Sequence, residues 1–322
     1  MAKYTRIGGQ ALIEGILMKS PEKSALAVRK PDKEISITYL EQKSLREKYK
    51  FFALPIIRGA VAFVESLISG YKAMMMSADI SGYTDIEEDK EKEDKKDNNL
   101  FINIIMAVAS VLGVLLAVVL FLLIPRLAVS GLNLLFNTEI KGAGAMAIEQ
   151  GIKIVVLVLY VFLVSLMKDI KRVFMYHGAE HKTIFCYEHG LPLTVENVRK
   201  ERRFHPRCGT SFMILMILVS FIVSFVVQLI FRGVYDNPAV WVAVKILMIP
   251  IICGLGFELL SICGKYDNVI TRIIAAPGMW LQRITTKEPE DDMIEIAIAA
   301  LKACEPAVPD VARPKESDDT DE

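Results

Sequence analysis

Four long apolar runs constrain the fold of this 322-residue chain more than any other feature of its sequence. They cover residues 100–124, about 146–167, 211–231 and 239–263. Each run reaches the roughly 20 residues that a helix rising 1.5 Å per residue needs to cross a hydrocarbon core of about 30 Å. They also explain why 53% of the residues are hydrophobic. The sequence therefore predicts a mainly α, polytopic membrane protein with about four transmembrane helices.

Basic residues are concentrated in one of the connections between these runs. The connection 168–210 contains nine lysines and arginines, whereas 125–145 contains only Arg126 and Lys141, and 232–238 only Arg232. Cytoplasmic loops carry the excess of positive charge. We therefore expect 168–210 and both termini to lie on the cytoplasmic side of the cell membrane.

Total charge gives no further indication of partners, because 38 basic residues balance 38 acidic ones. A nucleic acid partner is not predicted, since nothing in this balance favours phosphate binding. The expected partners are the lipid bilayer and, as an open alternative, other membrane proteins.

The N-terminal 50 residues are predicted to form a small cytoplasmic unit. Strand-like runs at 25–29 and 34–39 flank a Pro-Asp pair, which favours a β-hairpin. Before it, the glycine-rich stretch 8–15 places Gln10 and Glu14 four residues apart. We expect a loop and short helix there, with a direct role in binding as the alternative.

The remaining segments flank a membrane domain of residues 100–264. Residues 51–82 carry Arg58, Glu65 and Lys72 seven apart, each followed by a small residue, which is typical of an interfacial or re-entrant amphipathic helix. Residues 83–99, which are almost entirely charged between positions 85 and 97, are predicted to be a solvated linker. Interfacial and amphipathic helices are expected over 265–304, and a disordered acidic tail over 305–322.

The connection 168–210 contains an HxxEH pattern formed by His177, Glu180 and His181. On a helix, positions i and i+4 share one face, so both imidazoles can bind one metal ion. In peptidases with this inverted motif, the carboxylate is not a ligand but takes a proton from the attacking water. Helix capping and loop packing are the structural alternative for these residues.

Two further candidate ligands lie just before the third apolar run. His205 and Cys208 are three residues apart, and with His177 and His181 they would complete a tetrahedral site for zinc or another divalent metal. Three protein ligands indicate a catalytic site and four a structural one, and the sequence leaves both open. Glu258 is an alternative third ligand, but its position inside the fourth run argues against it.

Several stretches together resemble the YqhQ family of bacterial multi-pass membrane proteins. The resemblance covers nearly the whole chain and is carried by residues 8–21, 58–67, 176–184, 205–212 and 281–286. The family is a domain of unknown function, sometimes labelled a predicted metal-dependent enzyme. It implies a site at His177, Glu180, His181, His205 and Cys208, with Gln10 and Glu14 as a second cluster.

Two functions follow as alternatives. The first is a cytoplasm-facing metal-dependent hydrolase, with peptides among its candidate substrates, in which Glu180 is the catalytic base. The second is a non-catalytic scaffold or assembly factor for other membrane proteins. Transport is a weaker third hypothesis, because the runs contain few polar residues and no inverted repeat.

Overall fold

A computed structural model of the chain describes residues 7–41, 44–83, 108, 110–206, 208–231, 233, 237–266 and 268–305. Within these residues lie ten α-helices and a four-stranded antiparallel sheet. The predicted linker and the predicted acidic tail lie outside the described residues, except for their first positions. The division into domains stays a prediction.

The N-terminal sheet is a meander in the order β1-β2-β3-β4. Its strands are β1 (Gly8–Leu12), β2 (Gly15–Lys19), β3 (Ser24–Arg29) and β4 (Ile35–Leu40). The predicted hairpin is confirmed as β3 and β4. The loop and short helix expected at 8–15 form a second hairpin instead, which turns at Glu14 with a φ of 51°. Both faces of β2 are buried, so packing on two sides overrides the helical spacing of Gln10 and Glu14.

Helices cover both faces of this sheet. On one face, α2 (Ile57–Ile80) packs Ala73 against Leu12, Leu17 and Leu26. The other face contacts α5 (Lys168–Glu188) and α10 (Asp291–Cys304). There Ile16 and Met18 join a buried cluster with residues of both helices. The sheet is therefore the middle layer of a sandwich whose outer helices come from three distant parts of the chain.

Four helices are long and apolar enough to cross a membrane, as predicted. They are α3 (Ser110–Leu135), α4 (Gly142–Val164), α7 (Gly209–Ile230) and α8 (Pro238–Lys265). The last three agree with the predicted runs to within a few residues. This is the architecture of a multi-pass membrane protein.

The first of these helices extends further than predicted. We expected a run ending at residue 124, with Arg126 in a loop, but α3 continues through Pro125 and Arg126 to Leu135. Proline lacks an N–H and clashes with the carbonyl four residues earlier, here that of Phe121. A π-helical segment, Val119–Leu123, ends two residues before Pro125. The wider turn accommodates the proline without ending the helix.

The segment that carries the candidate motif is helical and ends before Gly190. After α5, Gly190 has a φ of +71°, and Thr194 caps the short α6 (Val195–Lys200). After α8, α9 (Val269–Thr285) leads to α10, and the short α1 (Leu45–Lys48) precedes α2. These connections place α5 between the sheet and the ends of α7 and α9.

Arg58 and Glu65, two of the three charged residues spaced seven apart on α2, contact other parts of the chain. Arg58 donates two hydrogen bonds of 2.6 Å to Glu258 of α8. Gly59 packs so closely on α8 that a Cβ there would lie 2.8 Å from the Gly254 carbonyl oxygen. Glu65 accepts a hydrogen bond of 2.7 Å from the Leu45 N–H.

A second stripe of α2 is apolar and exposed. Its members follow helical spacing and are Val64, Leu67, Ile68 and Tyr71. A helix with one packed face and one exposed apolar face is typical of the membrane interface. This arrangement fits the predicted interfacial position of 51–82.

Candidate metal centre

Helix α5 brings His177, Glu180 and His181 to one end of a cavity. The helix contains no proline, and its only glycine is Gly178, so the HxxEH spacing is carried on continuous helix. The rings of His177 and His181 lie 4.4 Å apart between centroids. The predicted approach of the two imidazoles is therefore present.

Cys208 completes a compact group with these histidines. Its Sγ lies 3.1 Å from Nε2 of His177. The possible ligand atoms of His177, His181 and Cys208 all lie within 4.8 Å of one another. Three residues separated by up to 31 positions thus converge on a volume large enough for a single ion.

Backbone carbonyls fix the tautomers of both histidines. Nδ1 of His177 lies 2.8 Å from the Thr285 carbonyl oxygen, and Nδ1 of His181 lies 2.5 Å from that of Arg203. A carbonyl oxygen only accepts hydrogen bonds, so each Nδ1 carries the proton. The lone pair on each Nε2 is then free to bind a metal. Metal-binding histidines are commonly oriented through the other ring nitrogen in this way.

Cys208 presents its sulfur at the start of α7. Cys208 is the N-cap of α7, and its Sγ accepts a hydrogen bond from the Thr210 N–H at 3.4 Å. Two neutral imidazoles and one thiolate form a donor set that suits zinc, with bond lengths of about 2.0–2.3 Å.

His205 lies beside this group but is not one of its members. Its ring centroid is 5.6 Å from that of His181 and 4.7 Å from that of Phe185. Its Nε2 is 3.8 Å from a carboxylate oxygen of Glu188. Of the two additional ligands suggested by the sequence, the structure brings Cys208 into the group and leaves His205 in the surrounding layer.

Gln282 holds the segment that carries His205 and Cys208, a role that sequence reasoning missed. Its Oε1 accepts a hydrogen bond from the His205 N–H at 2.8 Å, and its Nε2 donates to the His205 carbonyl at 2.8 Å. A third hydrogen bond, of 3.1 Å, reaches Ser211 Oγ. The amide is fully buried. The clamp ties the start of α7 to α9, and its only sequence signal is a polar residue in a largely apolar helix.

The three possible ligands line a cavity of about 330 Å³. Its wall is completed by β1, by Glu180 and by the first turn of α7, with the residues Gly8, Gly9, Gln10, Ala11, Gly209 and Thr210. The group is therefore open on one side. A catalytic metal site has this form, with three protein ligands and one position left for a reactant.

Glu180 is buried in the same cavity wall. Burial raises the pKa of its carboxyl group, while a hydrogen bond from the Gly9 N–H opposes this shift. A Cβ on Gly9 would lie 2.9 Å from the carboxyl carbon of Glu180, so strand and carboxyl group are in direct contact. Gly9 permits this approach because it has no side chain.

The other acids considered from the sequence have partners elsewhere. Glu258 pairs with Arg58, as described for α2, and does not enter the ligand group. Glu14 binds Arg172, with a hydrogen bond of 2.7 Å from Nη2, and accepts another of 3.0 Å from the Tyr176 hydroxyl. Its carboxylate thus ties the β1–β2 turn to α5.

Gln10 contacts a different helix from the one that binds Glu14. A Cβ on Gly70 of α2 would lie 2.6 Å from the Gln10 Oε1, so the amide packs against this glycine. The second cluster implied by the resemblance is therefore two separate contacts, one on each face of the sheet.

Comparison with known proteins shows that this chain is similar to a family whose function is unknown. The profile of a family described as "Protein of unknown function (DUF1385)" matches residues 54–307. The chain is 34% identical over 298 residues to "Uncharacterized protein YqhQ" of Bacillus subtilis (strain 168). That alignment covers 91% of this chain and 90% of the relative. No solved structure matches this chain.

Proposed function

Because this chain belongs to the YqhQ (DUF1385) family, whose function is unknown, we propose from its geometry that it is a membrane-anchored, metal-dependent hydrolase. One observation carries the proposal: His177, His181 and Cys208 meet at a cavity whose wall also contains a buried carboxyl group, that of Glu180. A structural metal needs neither an adjoining cavity nor an adjacent acid.

Each residue of the site has a distinct role in this proposal. His177, His181 and Cys208 bind the ion, and the carbonyls of Thr285 and Arg203 keep the two imidazole rings oriented. A divalent ion bound there would polarise a substrate carbonyl or phosphoryl group and make water more acidic. Glu180 accepts a proton from water and returns it to the leaving group. The N–H of Gly9 holds the Glu180 carboxylate in place.

The position of the cavity suggests where substrates arrive. Gly209 and Thr210 line it and are the first residues of α7, one of the four candidate membrane spans. The site therefore lies at the end of a span, close to the bilayer surface. On the predicted topology this is the cytoplasmic surface, so substrates come from the cytoplasm or from the inner leaflet.

The proposal is tested first by metal content. Protein purified in detergent without chelators is analysed by elemental mass spectrometry, alongside the His177→Ala, His181→Ala double variant. We expect about one zinc or other divalent ion per native chain and a loss of at least 10-fold in the variant. A correctly folded native protein without metal would contradict the proposal.

Turnover is tested separately on the metal-loaded protein in liposomes. The probes are a quenched fluorescent peptide library, a chromogenic carboxyl ester and a chromogenic phosphate ester. We expect Glu180→Gln to keep its metal and to lose at least 100-fold in rate, the usual range for a general base. Glu188→Gln is the matched control, since Glu188 is also buried on α5 but outside the cavity wall. Inactivity of the native protein toward all three probes would contradict hydrolysis while leaving metal binding intact.

The scaffold alternative makes the opposite prediction for these variants. It rests on the exposed apolar stripe of α2, formed by Val64, Leu67, Ile68 and Tyr71. If this stripe binds another membrane protein, Glu180→Gln is silent in cells, while Leu67→Ser releases the partner in crosslinking experiments. We favour the hydrolase, because lipid contact alone explains the α2 stripe.

A further inference from the structure

A second polar cluster lies inside the candidate membrane spans, far from the metal centre. Glu149 and Lys153 lie one turn apart on α4, and Lys245 lies on α8, and all three side chains are buried. Lys153 is 11 residues from each end of α4, which is about 16 Å at 1.5 Å per residue. Charged groups at this depth are expensive and usually functional.

The contacts within this cluster leave it positively charged. Lys245 binds Oε1 of Glu149, and Lys153 Nζ lies 3.4 Å from the same oxygen. Two ammonium groups thus share one carboxylate. With ordinary ionisation the cluster carries one uncompensated positive charge, which a hydrocarbon environment strongly disfavours.

Polar atoms around the two ammonium groups also have unused capacity. Among the described residues, Oε2 of Glu149 and Oε1 of Gln150 are buried acceptors without a partner, so they do not themselves attract an anion, and the donors that can do so are those of the lysines. Each ammonium group has three N–H donors, and one contact to Glu149 uses a single donor. Buried polar groups are normally satisfied, so the cluster has the composition of a binding site.

A cavity of about 190 Å³ adjoins these groups. Gln150, Lys153 and Lys245 line its polar side, and Ser220 of α7 lies next to them. Most of the remaining wall is apolar. The volume is below the roughly 300–1,000 Å³ of pockets that enclose a whole drug-sized ligand. The cavity therefore suits a small charged group whose apolar remainder extends elsewhere.

One side of the cavity leads toward lipid. Ile246 and Ile249 contribute to its wall and are 54% and 50% exposed. Phe121 and Leu122, which belong to the π-helical segment of α3, also contribute to the wall. Single π turns within α-helices occur frequently at functional sites. An apolar chain attached to the charged group can leave between these walls into the bilayer.

We propose that this intramembrane cavity binds an amphiphilic anion, a carboxylate or phosphate attached to an apolar chain. Lys153 and Lys245 bind the anionic group, in competition with the carboxylate of Glu149 that both lysines contact. Gln150 and Ser220 provide further hydrogen bonds, while the chain lies along Ile246 and Ile249. The inference is independent of the proposed hydrolase, since it uses no residue of the metal centre.

Trp241 provides a built-in reporter for the test. Nζ of Lys245 lies 4.9 Å from the centre of its ring, and the chain has only two tryptophans. In a Trp280→Phe background, the purified protein in nanodiscs is titrated with a brominated fatty acid, whose bromine quenches indole fluorescence at close range. The methyl ester of the same acid is the neutral control. We expect saturable quenching with at least 10-fold tighter apparent binding for the acid.

Variants identify the groups that bind the anion. Lys153→Met and Lys245→Met are each expected to weaken binding of the acid at least 10-fold, while Lys141→Met, a change at an exposed residue before α4, leaves it unchanged. Glu149→Gln is expected to tighten binding several-fold, because it removes the competing carboxylate. A purely structural role of the cluster would not produce this gain.

Two results distinguish the possible sources of the anion. If inorganic phosphate displaces the brominated acid, a soluble anion can occupy the cavity; if it does not, the ligand must bring its own chain. Equal quenching by the acid and its methyl ester would overturn the proposal. This comparison uses the Trp280→Phe chain alone, so it decides the question even if a lysine variant fails to fold.

Discussion

At the scale of single residues, Gln282 supports the candidate centre without contributing a ligand. Replacing it by alanine removes all three of its hydrogen bonds, including the one that its Oε1 accepts from the buried His205 N–H. We expect Gln282→Ala to lower metal affinity 10- to 100-fold, as is typical for residues that support the ligands. Competition with a chromophoric zinc chelator measures this change.

Arg283→Ala is the control for that experiment. Arg283 is the next residue of α9 and is exposed, so its removal should leave metal affinity unchanged. Equal affinity of the Gln282→Ala variant and the native chain would show that the 204–208 segment is held by other contacts.

The ligands themselves were easier to predict than the groups that orient them. His177 and His181 are four residues apart, and helical geometry alone brings them together. Thr285 and Arg203 act through their carbonyl oxygens, which every residue has and which leave no mark in a sequence. Gln282 lies 77 positions from its partner His205, a distance over which sequence periodicity carries no information.

At the scale of elements, the contact between α5 and the segment after α9 is the closest in the site. A Cβ on Gly178 would lie 2.0 Å from the Lys287 carbonyl oxygen, and the Lys287 N–H donates to the Phe174 carbonyl at 2.8 Å. Gly178→Ala must therefore push these segments apart. We expect a loss of about 1–3 kcal/mol in stability, typical of overpacking, together with loss of metal.

This effect is measured by heating the detergent-purified protein and determining, by size-exclusion chromatography, the fraction that remains folded at each temperature. The matched control is Gly151→Ala on α4, where nothing lies within 4 Å of the added Cβ. Glycine is the poorer helix former, so this control should be neutral or slightly stabilising. An unchanged unfolding temperature for Gly178→Ala would mean that the segment after α9 moves freely.

Sequence patterns predicted elements well where one local signal dominated. Length and hydropathy defined α4, α7 and α8, because a membrane span needs only a continuous apolar run. Two elements differed from their predicted form because neighbouring structure competes with the local sequence pattern. The π turn carries α3 past Pro125, and burial on two sides turns residues 8–19 into a hairpin.

At the scale of the whole molecule, the predicted topology can be tested with single cysteines. The five native cysteines are buried, so background labelling with a membrane-impermeant maleimide should be low. We expect Lys141→Cys to react in intact cells and Lys200→Cys to react only after permeabilisation. Both native lysines are exposed, which makes accessibility comparable. The reverse pattern would place the metal centre outside the cytoplasm.

The packing of α10 on the sheet also sets an order of events during synthesis. The strands that contact α10 are made first, and α10 itself follows all four candidate spans. Until residues 291–304 leave the ribosome, one face of the sheet has only the cover that α5 provides. The candidate centre likewise uses Thr285 and Gln282, which are made after the last span. A chain whose synthesis stops early, or whose spans fail to insert, therefore has neither a closed core nor a complete centre, and it presents apolar surface that quality-control proteases can bind.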